Sequence, residues 1–91
     1  MGHIAAHDVE AREVEELLAN DPVYIETRID ELSGEERVLE LGHTNAGRVL
    51  FLAWTPRGEL VRPVTAFEAN RKTRIAYERR RYEEKQRRQH N

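Results

Sequence analysis

The run RVLFLAWT at residues 48–55 constrains the fold more than any other part of the chain. Its apolar side chains fall at both odd and even positions, so a strand built from it needs cover on both faces. It is too short for a membrane span, which takes about 20 apolar residues. This makes it the central strand of a sheet. Its flanks agree. Asn45-Ala46-Gly47 reads as a hairpin turn that joins it to a preceding strand over 37–44. Pro56-Arg57-Gly58-Glu59 reads as a second turn, because proline presets one turn angle and glycine permits positive φ. A strand over 60–66 follows. Pro63 cannot donate a ladder hydrogen bond, so it sits at an edge or at a bulge. The β-branched and aromatic run VYIET at 23–27 predicts one more strand. Residues 28–36 fit either strand or loop, with a turn at Ser33-Gly34.

Helices bracket this meander. Val14, Leu17 and Leu18 recur at i, i+3 and i+4 among Glu10, Arg12, Glu13, Glu15 and Glu16, which predicts an amphipathic helix over 9–20. Asp8 is the expected N-cap, and Asn20-Asp21-Pro22 ends the helix. Helix formers dominate 67–88, where Phe67, Ile75 and Tyr82 draw a thin apolar line, and Gln86 to Asn91 are expected to fray. Met1-Gly2-His3 carries no weight in the fold. The expected class is α+β: an N-terminal helix, a three- to four-stranded antiparallel sheet and a C-terminal helix in one domain over 1–91.

Charge is divided unevenly. Residues 1–40 hold twelve acids and three bases, and residues 41–91 hold five acids and twelve bases, although the net charge is only −2. A basic half of this kind points to nucleic acid or an acidic partner, or to an arginine-rich surface helix that is merely solvated. With no cysteine, disulfides and thiolate metal sites are excluded. No apolar stretch spans a bilayer and no signal-peptide pattern opens the chain, so a cytoplasmic protein without a membrane partner is expected. His3 and His7 are four apart, but no third ligand accompanies them, so no metal or cofactor is expected. Phosphate-loop, dinucleotide, nucleophile-elbow and zinc-finger patterns are missing, and nothing reads as a helix-turn-helix pair.

Several pieces in order resemble one toxin family. They are His7-Asp8-Val9 followed by Glu13-Val14-Glu15-Glu16-Leu17; Gly34-Glu35-Glu36-Arg37; Gly42-His43-Thr44-Asn45-Ala46-Gly47-Arg48; and Thr55-Pro56-Arg57-Gly58. Val64-Thr65-Ala66, Asn70-Arg71-Lys72 and Tyr77-Glu78 close the pattern. Together these resemble the BrnT branch of the RelE-like bacterial toxins from about His7 to Glu84. The chain departs from the pattern at Asp8 (usually glycine), Phe67 (usually arginine) and Thr73 (usually glutamate), and the leading strand is absent or truncated.

The resemblance implies metal-independent RNA cleavage that inhibits translation, in which a ribose 2′-hydroxyl attacks the adjacent phosphate. Such chemistry needs cations on the phosphate and a group that moves protons. Arg37, Arg48 and Arg62 on neighbouring strands are the expected phosphate-holding residues, and His7 the expected proton-transfer residue, with His43 second. Glu35 or Glu36 fits a base beside Arg37, or simply a solvated turn. Arg71, Lys72 and Tyr77 are the expected RNA contacts, although Tyr77 and Tyr82 at helical spacing fit core or partner contacts at least as well. Each arginine taken singly also fits an ordinary ion-paired surface residue. The implied partners are RNA and a BrnA-like ribbon-helix-helix antitoxin, through which the toxin oligomerises.

Two other functions compete. A catalytically weakened relative acting as an RNA- or protein-binding module is suggested by Phe67 and Thr73. A purely structural interaction domain predicts that Arg37, Arg48 and Arg62 share no basic concavity.

Overall fold

The computed structural model describes residues 5, 6 and 8–89. The elements in chain order are β1 (Ala5–Ala6), α1 (Ala11–Ala19), β2 (Val23–Ile29), β3 (Glu36–His43), β4 (Val49–Arg57), β5 (Leu60–Glu68) and α2 (Arg71–Gln89). The strands form one sheet in the order β1-β5-β4-β3-β2. Strands β2 to β5 are an antiparallel meander, and two-residue β1 lies parallel to β5, with Ala5 beside Thr65 and Ala6 beside Ala66. The fold is therefore α+β with an N-terminal helix, an antiparallel sheet and a C-terminal helix, and the leading strand is present in truncated form.

Strand β4 lies inside the sheet, as its two apolar faces require. Its even side chains, Leu50 and Leu52, join Val14, Leu17 and Ala66 beneath α1, with Val9, Leu18 and Trp54 packed around them. Each fully buried leucine contributes about 1.5–3 kcal/mol. Val49, on the opposite face, joins Ala69 and Tyr77, with Val23, Leu41 and Phe51 at the margin. This second cluster covers only the end of the sheet where β4 begins. The Ala69 N–H donates to the Val49 carbonyl at 3.0 Å, fixing the start of α2 there. Beyond Tyr77, α2 is almost wholly exposed.

Several local expectations change. Asp8 does not cap α1: it adopts a left-handed φ of 61° and its carbonyl accepts from Arg48, while the Glu10 N–H is capped by the Glu13 carboxylate at 3.0 Å. The second turn shrinks to Gly58-Glu59, with Pro56 and Arg57 paired to Val61 and Leu60 in the ladder; Gly58 takes the positive φ that so tight a reversal needs. Phe67 and Glu68 extend β5 rather than open the helix, because Phe67 pairs with Phe51 and their rings stack at 5.3 Å. The apolar line of Phe67, Ile75 and Tyr82 is consequently not a packing stripe, since all three are exposed and Tyr77 is the buried residue of α2. Residues 86–89 are the last of α2. Pro63 lies at the predicted irregularity, opposite Trp54, where the β4–β5 register shifts.

Strand β3 passes close beneath α1 at Gly42. A Cβ on Gly42 would lie 2.7 Å from Leu17 Cγ, and Leu17 is fully buried and cannot swing away. Gly42→Ala is therefore expected to lower stability by about 1–3 kcal/mol, the usual cost of overpacking. Urea unfolding checks this; an unchanged midpoint would mean that α1 lifts freely from β3.

Candidate functional site

The face of the sheet away from α1 gathers arginines at the end that α2 leaves open. Side chains alternate between faces along a strand, and the register puts Arg28 opposite Arg37 and Arg62 opposite Thr55. Arg37 follows the same alternation as Leu39, whose partner is Ala53. Arg28, Arg37, Leu39 and Ala53 line one shallow concavity together with Ile29 and Asp30. Glu35 holds the row together, with one carboxylate oxygen 3.3 Å from Arg57 and 3.5 Å from Arg62. Arg37 lies 4.0 Å from Asp30, and Arg28 pairs with Glu26. The Ser33 hydroxyl and N–H, with Arg37 adding to them, hold the Asp30 carboxyl below its usual range. Arg37 Nε is buried without a hydrogen-bond partner among the described residues. Further along the same face, Phe67 stacks on Phe51 and remains 41% exposed.

Arg48 is not in this group. It follows the alternation of Leu50 and reaches the α1 side, where Nη1 donates to both Glu13 oxygens at 2.9 and 3.0 Å and to the Asp8 carbonyl at 2.8 Å. Glu68 stands 3.5 Å from its Nε. The Glu10 N–H and the Arg48 guanidinium keep the buried Glu13 carboxyl below its ordinary range despite desolvation, and Glu13 raises Arg48 in turn. The loop before β4 aims Arg48: its N–H donates to Thr44 Oγ1, its carbonyl accepts from the Thr44 N–H, and Gly47 supplies a φ of 89°.

A second polar site lies beneath α2. His43 Nδ1 and the Tyr77 hydroxyl are 2.8 Å apart. Burial, followed by the nearby Arg81 charge, lowers the His43 pKa, and burial raises that of Tyr77. The expected stacking residue Tyr77 is only 4% exposed and packs with Val49 and Ala69, so its ring has no face free for a base. Arg71 and Lys72 are exposed in the first turn of α2. His7 and His3 lie outside the described residues.

Residues 2–73 match the protein family described as "Ribonuclease toxin, BrnT, of type II toxin-antitoxin system". The chain belongs to the BrnT family. Comparison with curated proteins and with solved structures gave no match. Type II membership makes RNA the class of target and an antitoxin the class of partner. Among the described residues no helix is long and apolar enough to cross a membrane.

In this BrnT chain the structure brings Arg37 and Arg62 together and turns Arg48 to the other face. Sequence reasoning missed Arg28 and Arg57. Arg57 falls two residues after Thr55, so period-two counting would have placed it on the face that holds Arg62. It also missed Arg81, Lys85 and Arg88, which follow Tyr77 at i+4, i+8 and i+11.

Two measurements test these assignments. Arg48→Ala leaves the Glu13 carboxylate buried without its cation, and a stability loss of about 1–3 kcal/mol is expected in urea unfolding; no loss would mean that the pair is incidental. For His43 the sign follows from the lowered folded pKa. Below its ordinary value of 6.5, the unfolded chain takes a proton that the folded chain resists, so stability falls as pH drops from about 7 to about 5.5. The groups lining the cleft with His43 are Tyr77, the cations Arg80, Arg81, Lys85 and Arg88, and the carboxylates Asp21 and Glu84; of these, Arg81 adds to burial in lowering the His43 pKa. The decline should flatten in His43→Gln, and an equal decline would assign it to other groups.

Proposed function

We propose that the chain cleaves RNA without a metal ion and so stops translation in the cytoplasm until a BrnA-like ribbon-helix-helix antitoxin covers it, with larger assemblies forming through that antitoxin. The observation that carries this reading is the row of Arg28, Arg37, Arg57 and Arg62 on one open sheet face, which would suit a RelE-like use of the sheet. Guanidinium groups stay charged at any relevant pH and bind phosphate oxygens bidentately. Arg37 and Arg62 hold the phosphate as charge develops on it, and the RNA competes with Glu35 for Arg57 and Arg62. His7 takes the 2′-hydroxyl proton, Arg71 and Lys72 bind flanking phosphates, and exposed Phe67 accepts a stacked base. Arg48, bound to Glu13, acts by fixing α1 to the sheet rather than by touching RNA.

A binding module without cleavage is the second reading. It is favoured by the carboxylates of Glu26, Asp30 and Glu35, which already pair with the four arginines, and by Phe67 where the family pattern carries arginine. Cleavage of a defined RNA in excess EDTA, with and without ribosomes, separates the two. Wild-type protein is expected to cut, and Arg37→Ala/Arg62→Ala to cut at least about 10²-fold more slowly at unchanged stability, as when a charge-stabilising donor is removed. Folded wild-type protein that binds RNA but never cuts it would establish the module instead.

A further inference from the structure

The cleft beneath α2 belongs neither to the arginine row nor to the Arg48 tie. It encloses about 410 Å³, with His43 and Tyr77 at its base and Arg80, Arg81, Lys85 and Arg88 of α2 beside them. Tyr77, Arg81, Lys85 and Arg88 follow one another at helical spacing, so a single stripe of α2 carries the buried tyrosine and then three cations. Arg80 is paired with Glu84 at 3.3 Å. Arg81, Lys85 and Arg88 have no ion-pair partner among the described residues, and Asp21 is the only other carboxylate in the lining. Four cations thus meet two carboxylates in a concavity large enough for a nucleotide-sized ligand. The cations repeat at about one helical turn, roughly 5.4 Å along the axis, which suits a ligand whose negative charges also repeat. The hydrogen-bonded His43 and Tyr77 give the base of the cleft polar atoms of the kind that receives a sugar hydroxyl.

We infer that this cleft binds the phosphodiester backbone of RNA at a site separate from the arginine row. The cations that define the cleft, Arg80, Arg81, Lys85 and Arg88, lie outside the matched span of residues 2–73. The choice of RNA rests on the ribonuclease reading; the existence of the cleft does not. RNA running from the arginine row toward α2 passes the Phe67–Phe51 stack, which lies between the two on the same face.

The test is binding of a short, fluorescent 2′-O-methyl RNA, which cannot be cleaved by 2′-hydroxyl attack, over a range of salt concentrations. Arg81→Ala/Lys85→Ala is compared with Arg79→Ala/Arg87→Ala, which removes the same charge from the same helix outside the cleft. The cleft variant is expected to bind at least about tenfold more weakly than the wild type, with a log–log salt slope shallower by about 1.4, the value for two lost single-strand phosphate contacts. The control should change far less. Equal losses in both variants, or no loss in either, overturn the proposal in favour of diffuse attraction. So does a cleft variant that keeps RNA affinity and loses only antitoxin affinity, because the occupant is then a protein. Cleavage of unmodified RNA is followed in parallel. If the wild type binds through the cleft but cuts nothing, the ribonuclease reading fails and the cleft stands.

Discussion

Leu17 lies over Gly42 so closely that no side chain fits between them, and α1 is thereby pressed onto Leu50, Leu52 and Ala66. This contact covers the middle of one face of the sheet with a nine-residue helix, while Tyr24 and Val61 of the same face stay exposed. The Arg48–Glu13 pair closes the margin of the contact, where an unpaired carboxylate at the edge of an apolar core would be costly. The opposite face is covered where Val49 and Tyr77 meet. The rest stays open to carry charge.

The open face divides its cations by element. Arg28, Arg37, Arg57 and Arg62 are carried by strands and lie beside Glu26, Asp30 and Glu35. Those on α2 are held by a helix that is anchored at one end through Ala69 and Tyr77 and is solvated beyond. On the proposed reading the row and the helix are different tools for one polyanion: the guanidinium groups of the row suit a bidentate grip on phosphate, and the helix would add attraction that is sensitive to salt.

Much of the architecture was legible because periodicity reports burial. The two-sided apolar run gave away β4, the i, i+3, i+4 pattern gave away α1, and Pro63 marked the register shift. The ends of elements were harder to read. Helix propensity assigned Phe67 to α2, but pairing with Phe51 across the sheet outweighed that local preference. Asp8 has the chemistry of a cap, yet Glu10 and Glu13 form a reciprocal arrangement two residues later. The candidate site was legible in kind, as arginines on neighbouring strands, but not in membership. Arg48 has the residue type of the site and the pleat parity of the core.

The sequence by itself determined the class of fold, the central strand, the basic second half and the family, because each is written in local spacing or residue order. Tertiary structure decided which cations lie on the same face. A one-residue change of parity sends a strand side chain to the other face, so Arg62 joins Arg57 while Arg48 joins Glu13. It also decided that Tyr77 is an anchor and not a platform, since only the packing of α2 against Val49 buries its ring. Such outcomes depend on register and on contacts between residues distant in the chain, which no local pattern encodes.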